Sequence, residues 1–517
     1  MKNLYKNKYI NYLYLSLLGT ITALSLPPYN YFIINFFSLS LFFIFIVSKK
    51  TKLEKNFNYF KFGWFFGFGY FASSLFWIVI SLSFDESFKI LIPISIILIP
   101  SFLAIFYGIA LYIFSFFKNY QNICLILIFS ILFAIIEFIR GNILTGFPWN
   151  LFVFSFSNNL VFIQILSILG TYGFNMICIT LFLTPAILVL KENNGKLYLC
   201  LFSILISISF LIFGNIKLDR ESKISYKKNN YLIKVVSPKI SIDRFYNVNT
   251  ERQIIKDLIK LSNPDLNIPT IFIWPEGVLA SSNVDDIKKY KELFSENFAE
   301  KHLIILGIND TLKNKNKLET YNSLIVVDNN LNIQNLYHKN NLVPFGEFLP
   351  LENYLRKLGL RSVTHGYQSF SAGEVRDVIN LKNKYFDLNF LPLICYEIIY
   401  SGELSNNSNF DVIINISEDG WFGDSIGPKQ HFVHSIFRAV EEGKNIIRSS
   451  NNGISAHIDG SGKIIKKLET TQSGVIDIIQ YKYLKKTIFS QIQNRMFFYL
   501  LVIYISFVFF INKKESK

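Results

Sequence analysis

Leu391-Pro392-Leu393-Ile394-Cys395-Tyr396-Glu397 is a short apolar run that stops at a thiol and a carboxylate. A brief apolar run bounded by polar residues reads as a buried strand. The end of a strand in an α/β sheet is where a side chain emerges into a crevice. Two other strings have the same form: Ile271-Phe272-Ile273-Trp274-Pro275 leads to Glu276, and Leu336-Tyr337-His338 leads to Lys339, ahead of a turn Val343-Pro344-Phe345-Gly346-Glu347. Strand-like runs recur at Tyr231–Val236, Thr270–Trp274, Leu303–Gly307, Ser323–Val327, Leu391–Cys395, Val412–Ile416, Ile446–Ser449 and Ile454–Ile458, with helical stretches at 251–262, 284–300 and 428–444. Asn452-Gly453 is a hairpin signal between the last two strands. This mixture predicts an α/β domain over residues 230–490, with helices covering sheet faces.

The flanks differ in kind. The 517-residue chain is 51% hydrophobic and 17% charged, against about 25% charged for ordinary soluble chains. The apolar residues concentrate in 1–214 and 491–517. A bilayer-crossing helix needs roughly 20 mostly apolar residues. Seven such stretches lie at about 9–27, 31–48, 59–83, 90–117, 122–140, 159–190 and 197–214, and an eighth at about 492–511. Pro93, Pro100 and Pro185 mark kink sites. The first stretch reads as an anchor, since more spans follow it and no small-residue cleavage site does. The expected architecture is a multi-span α-helical membrane domain of about eight transmembrane helices plus an α/β domain, joined by a polar linker at 215–229.

The net charge is +15, and its placement sets an orientation. Lys2, Lys6 and Lys8 precede the first span; Lys49, Lys50, Lys52 and Lys55 follow the second; Lys118 follows the fourth; Lys191 and Lys196 follow the sixth. The alternate loops are poor in Lys and Arg. The positive-inside rule then makes both termini cytoplasmic and residues 230–490 outward-facing. No interleaved basic–aromatic motif suggests a nucleic-acid partner, and the flanking lysines suit anionic lipid. Glu137 and Arg140 are the main ionisable residues within the spans and read as interfacial; so few argue against a transporter.

Cys124, Cys178 and Cys200 lie in apolar stretches, where cysteine acts as a small hydrophobe. Cys395 is the one cysteine of the polar domain, which excludes a disulfide within it. A thiol near pH 7 is mostly protonated and weakly nucleophilic. A carboxylate beside it accepts the proton; an ammonium lowers the thiol pKa and steadies an oxyanion, with the backbone N–H of Tyr396 as a second donor. Taken singly, Glu276, Lys339 and Cys395 are an ordinary turn carboxylate, solvated lysine and structural cysteine. The six histidines form no metal-ligand pattern, so neither metal nor cofactor is expected.

The surrounding strings decide otherwise. Ile273-Trp274-Pro275-Glu276-Gly277, Tyr337-His338-Lys339-Asn340-Asn341-Leu342-Val343-Pro344-Phe345-Gly346-Glu347 and Ile394-Cys395-Tyr396-Glu397 resemble the nitrilase, or carbon–nitrogen hydrolase, superfamily. Asp419-Gly420-Trp421-Phe422-Gly423-Asp424, Gly427-Pro428-Lys429-Gln430-His431, Ser450-Asn451-Asn452-Gly453 and Thr145-Gly146-Phe147-Pro148-Trp149 look like further blocks of its membrane-embedded branch, the apolipoprotein N-acyltransferases. The resemblance implies an α-β-β-α sandwich in the bacterial inner membrane with its catalytic domain in the periplasm. It implies Glu276 as general base, Lys339 as oxyanion-stabilising lysine and Cys395 as acyl-accepting nucleophile. Glu347, Tyr396 and Glu397 match positions required for activity, through supporting or chemical roles. The implied reaction takes a fatty acyl group from membrane phospholipid, holds it as a Cys395 thioester and passes it to the α-amine of diacylglyceryl-modified apolipoproteins.

Two stretches depart from the pattern. Ser237-Pro238-Lys239-Ile240-Ser241-Ile242-Asp243-Arg244-Phe245-Tyr246 stands where an Asn-Ile-Pro-Gln-like block with a downstream lid Trp is usual, leaving Phe245 or Tyr246 in that place. Ser417-Glu418-Asp419 stands for Ser-Asn-Asp. Leu351, Tyr354, Leu355 and Leu358, flanked by Arg356, Lys357 and Arg361, follow i, i+3, i+4, i+7 spacing: either an interfacial arm or a helix on the domain's own core. Two rival readings remain: a membrane-tethered nitrilase-type amidase acting on a small amide, and a transporter or scaffold with a degenerate domain. Eight spans weigh against the first, and the intact trio against the second.

Overall fold

The computed structural model describes residues 7–49, 55–190, 196–246, 250–314, 317–355, 357, 369–404 and 409–513. The chain forms two compact units: Met1–Val79 with Lys89–Asp219 and Gln491–Lys517, and Ile80–Phe88 with Arg220–Ser490.

The first unit is helical, as unbroken apolar sequence demands where backbone groups have only each other to bond. Among the described residues, six helices are long and apolar enough to cross a membrane: Asn56–Phe84, Lys89–Phe117, Asn122–Asn142, Leu166–Val189, Lys196–Ser222 and Arg495–Asn512. Eight were expected. The two remaining helices, Lys8–Ala23 and Ile33–Ser48, have 16 residues each. At 1.5 Å per residue they reach about 24 Å, short of the ~30 Å hydrocarbon core. The first ends early because Leu24, Ser25 and Leu26 turn back on Ile21, Thr22 and Ala23. Residues 215–229, read as a linker, hold the end of one helix, to Ser222, and the start of a strand, from Lys227.

Small residues draw the membrane helices together. A side chain at Gly19 would strike the Phe66 carbonyl, and one at Gly69 the Ser16 carbonyl. Ser16 Oγ donates to the Phe65 carbonyl at 3.0 Å across the same seam. Pro93 lies in the first turn of Ile92–Phe114, where its missing N–H costs nothing. Leu166–Val189 breaks at Gly170, whose φ is +65°. Glu137 and Arg140, expected at an interface, are buried instead. They pair with each other; Tyr107 donates to Glu137 at 2.5 Å, and Arg140 holds the Phe147 carbonyl of the Thr145–Trp149 block.

The second unit carries two sheets. Its strands are β1 Lys227–Ser237, β2 Thr270–Ile273, β3 Leu279–Asn283, β4 His302–Asn314, β5 Lys317–Val327, β6 Ile333–His338, β7 Ile379–Lys382, β8 Asp387–Ile394, β9 Val412–Glu418, β10 Asn445–Asn451, β11 Ser455–Ile458, β12 Ile464–Leu468 and β13 Gly474–Tyr481. One sheet runs β13-β1-β2-β4-β5-β6 with β3 beside β4; the other runs β12-β11-β10-β9-β8-β7. Strand alternation builds the layers. Ile271 and Ile273 face inward, into a core shared with Ile394, Val412 and Ile414. Phe272 and Trp274 face outward, beneath the helices Glu251–Ser262 and Lys291–Asn297. Each such buried side chain is worth about 1.5–3 kcal/mol. The helix Gly427–Glu442 packs on β10, β11 and the turn Cys395–Ile399 of the other sheet. The result is the α-β-β-α sandwich implied by the sequence motifs.

Because β1, β2 and β4 are parallel, as are β8, β9 and β10, the carboxyl ends of the central strands of each sheet share one edge. β6 runs with β4, since each is antiparallel to β5. Glu276, Lys339, Cys395 and Glu418 therefore all emerge at strand ends.

Candidate active site

Glu276 lies three residues beyond the end of β2 and is largely buried, at 7% exposure. Its Oε2 accepts the backbone N–H of Glu418 at 2.9 Å, and its Oε1 accepts Asn322 Nδ2 at 2.7 Å. Gly307 lies against it so closely that a side chain there would meet the Glu276 backbone at 2.7 Å. Burial raises the carboxyl pKa above its usual range; the Lys339 charge opposes this, and the Glu347 charge adds to it.

Lys339, at 1% exposure, directly follows β6. Its Nζ is 2.8 Å from Glu347 Oε1 and 3.7 Å from Glu276 Oε1. Asn322 Nδ2 also donates to Glu347 Oε1, at 2.8 Å, and so ties the two carboxylates together. Burial alone would lower the lysine pKa; Glu347, then Glu276 and Cys395, outweigh it, and the ammonium is held firmly charged. The second Glu347 oxygen accepts the Val343 N–H at 2.9 Å, which closes the Val343–Glu347 turn around the lysine.

Cys395 opens a 3-10 turn at the end of β8, with φ at +50°, a left-handed conformation that costs a non-glycine residue roughly 1–2 kcal/mol. The thiol pKa is pushed well up, first by burial and then by the Glu276 charge, with Lys339 pulling the other way. The ammonium does lower it, as the sequence implied, but it is not the largest influence. Desolvation wins instead, so the sulfur stays protonated until a base takes its proton. The thiol thus lies within electrostatic reach of both Glu276 and Lys339, and the structure brings the three together.

The companions take distinct places. Glu397 is fully buried and accepts from Tyr337 at 2.6 Å, Ile394 N at 2.8 Å, Arg376 at 2.9 Å, Asn340 N at 3.0 Å and Asn341 N at 3.2 Å. It thereby fastens the end of β8 to the loop after Lys339. Burial works against its ionisation, but Arg376 and these donors hold its pKa below the carboxylate norm. Tyr396 is buried with its ring edge-on to Tyr400 at 5.7 Å. Phe245 rests against Gly277, where an added methyl would meet its ring at 2.9 Å. Phe345, Leu351 and Tyr354 are exposed, at 54%, 75% and 71%; the Leu355 side chain, Leu358 and the flanking Arg356 and Arg361 of the proposed arm lie outside what the structure describes.

Several site neighbours had no role in the sequence reading. Asn322 gave no signal beyond being an amide inside an apolar strand. Asp419 and His431 stood in quoted blocks without an assignment. Cys395 Sγ, an Asp419 oxygen and a His431 ring nitrogen lie within 4.8 Å of one another, a spacing suited to a metal ion. The donors are already committed: Arg448 binds both Asp419 oxygens, at 3.1 and 2.9 Å, and approaches His431 Nδ1 at 3.1 Å. Burial, with Arg448, outweighs the Asp419 charge and lowers the His431 pKa. The ring's Nδ1 lies 2.9 Å from Asp419 Oδ1 and its Nε2 lies 3.3 Å from the Cys395 carbonyl.

A two-sheet sandwich with carboxylate, ammonium and thiol gathered at neighbouring strand ends defines a carbon–nitrogen hydrolase domain, here joined to a membrane unit. The family described as Carbon-nitrogen hydrolase matches residues 286–482, and that described as Apolipoprotein N-acyltransferase N-terminal domain matches residues 18–184. The chain belongs to the apolipoprotein N-acyltransferase family. The apolipoprotein N-acyltransferase of Rickettsia prowazekii (strain Madrid E) is 36% identical over 92% of this chain and 94% of its own. That of Brucella melitensis biotype 1 is 31% identical over 89% and 87%. Among solved structures, Saccharomyces cerevisiae Nit3, a member of branch 10 of the nitrilase superfamily, is similar at 19% identity and TM-score 0.34, over 50% of this chain and 91% of that one.

Proposed function

We propose that this chain moves a fatty acyl group from a membrane phospholipid to the α-amine of the diacylglyceryl-cysteine at the N-terminus of apolipoproteins, by way of a thioester on Cys395. Glu276 takes the Cys395 proton as sulfur attacks the ester carbonyl. Lys339, with the backbone N–H of Tyr396, stabilises the oxyanion. The ester C–O bond breaks, Glu276 returns the proton to the departing oxygen, and lysophospholipid leaves. The lipoprotein amine then attacks the thioester, Glu276 accepts its proton, the C–S bond breaks, and the proton returns to sulfur as the amide forms. No external energy source enters, because a thioester is more reactive toward amines than the ester it came from.

One observation carries this reading: a permanently charged Lys339 sits between two carboxylates beside a neutral, buried thiol. That is the arrangement needed to deprotonate sulfur only as it attacks. Six long apolar helices keep such a site with substrates that never leave the bilayer. The lysine pattern and the seven long helices before β1 support cytoplasmic termini and a periplasmic catalytic domain, with the two 16-residue helices crossing where the bilayer thins to match them. Incubating the purified protein with phospholipid should yield lysophospholipid and an acyl adduct on Cys395. Cys395→Ala should abolish both while inserting normally. Release of ammonia from a small amide, without lysophospholipid, would make it an amidase instead.

A further inference from the structure

The two stretches that depart from the family pattern, Ile242–Tyr246 and Ser417–Asp419, meet beside Glu276. Arg244, in the 3-10 turn Ile242–Phe245, and Glu418, the last residue of β9, form an ion pair whose side chains are 2% and 1% exposed. Each also grips the segment that carries Glu276, at different points. The Glu418 backbone N–H donates to Glu276 Oε2 at 2.9 Å, and Arg244 Nε donates to the Gly277 carbonyl at 2.9 Å.

The pair has little freedom to swing. Arg244 Nη1 donates to the Ser241 carbonyl at 3.1 Å. Glu418 Oε1 accepts the Gly420 N–H at 2.8 Å, and its Oε2 accepts Asn451 Nδ2 at 2.7 Å. The guanidinium also stacks on Phe245 at 4.3 Å, Phe245 lies 5.2 Å from Trp421, and Trp421 meets Phe84 edge-on at 5.8 Å. A buried pair held at each guanidinium nitrogen and at both carboxylate oxygens acts as a rigid strut, and its fork geometry is one that lysine does not reproduce.

We propose that the Arg244–Glu418 ion pair positions the Glu276 carboxylate, fixing Oε2 so that Oε1 stays turned toward Lys339. Both are positioning residues that act through Glu276. The inference rests on the reading of Glu276 as the proton acceptor. A general base displaced by a fraction of an ångström transfers a proton far more slowly. Losing the Glu418 N–H bond also removes a donor that favours the ionised carboxylate.

The test uses the full chain in phospholipid vesicles, measuring single-turnover acylation of Cys395 against pH, with thermal unfolding alongside. Variants are Glu418→Gln, Arg244→Lys and the pair Arg244→Met with Glu418→Leu. The acid limb should move to higher pH and the plateau rate fall by about ten-fold, with phospholipid KM changed less than about two-fold. The apolar pair should recover stability that Glu418→Gln loses, since a buried ion pair is replaceable by apolar packing, yet keep the displaced limb. A purely structural role would lower unfolding temperature and signal amplitude while the limb stayed in place. A folded double variant with the wild-type limb and rate overturns the proposal; if the double variant is unstable, a wild-type profile in Arg244→Lys does so. Wild-type protein that forms no thioester would instead refute the proposed function.

Discussion

Lys339 Nζ lies 2.8 Å from Glu347 Oε1. The lysine's primary partner is therefore Glu347, and Glu276, at 3.7 Å, is its second. Glu347 also helps to raise the Glu276 pKa. Glu347→Gln should have two separable effects. With the Glu347 charge gone, Lys339 turns to Glu276 and lowers its pKa, so the acid limb of the acylation profile moves to lower pH. The plateau rate falls on the order of 10²-fold because the ammonium leaves the oxyanion position. A limb that moved upward would show that Lys339 is not shared between the two carboxylates.

The Glu276 charge both accepts the Cys395 proton and holds the thiol pKa up. Glu276→Gln should therefore move two rates in opposite directions. Acylation by phospholipid is lost with the base. Alkylation by iodoacetamide, which needs only thiolate, becomes faster at fixed pH near 8 because the thiol is more acidic. In the unaltered protein alkylation should keep rising beyond the ordinary thiol value of about 8.5. Slower alkylation of Glu276→Gln would sink this account of the thiol.

How much of this was legible beforehand depended on burial. Strands buried on both faces, such as β8 and β9, announce themselves as apolar runs. The helix 251–262 was read to the residue because its apolar face repeats cleanly. β12, with Lys466 and Lys467 exposed, and β7, which alternates buried and exposed, lie at the ends of their sheet, where charge protects an edge, and gave no signal. The stretch 284–300 breaks into a 3-10 turn Val284–Tyr290 and a short helix Lys291–Asn297. Glu276 and Cys395 were readable because each follows an apolar strand, whereas Lys339 follows the largely exposed β6 and was readable only from the string around it. Asn322 and the Asp419–His431–Arg448 cluster were not, since their partners lie far apart in sequence and only the sandwich brings them together.

Glu397 is a structural carboxylate by its surroundings: five donors and no exposure. Glu397→Gln leaves the Arg376 charge buried without its counter-charge and should cost about 3–5 kcal/mol. The Glu397 pKa is depressed in the folded protein. Its stabilising contribution is thus complete above the unfolded value of about 4.3 and fades as pH falls toward the folded one. The gap in unfolding temperature between the two proteins should be wide at pH 7 and narrow below pH 4. The acid limb of acylation, measured on folded protein, should not move. A full-stability variant with lost activity would assign Glu397 to the chemistry.

Leu351 and Tyr354 stand exposed just beyond the turn that holds Lys339, and Phe345 within that turn is exposed as well. Phe345 and Leu351 both have positive φ, at +61° and +51°, so the backbone there is bent sharply. Large apolar side chains left in water near a lipid-handling site favour the interfacial arm over a helix on the domain's own core. Each leucine- or tyrosine-sized group inserted into the headgroup region contributes roughly 1–2 kcal/mol of attachment. Leu351→Asp with Tyr354→Asp should therefore slow acylation from phospholipid in vesicles by about ten-fold or more. Acylation from a short-chain phospholipid dissolved below its critical micelle concentration should change less than about two-fold, because the Glu276–Lys339–Cys395 geometry is untouched. Equal loss on both donors would place these side chains in the protein's own packing, and no loss on either would remove the arm from the reaction.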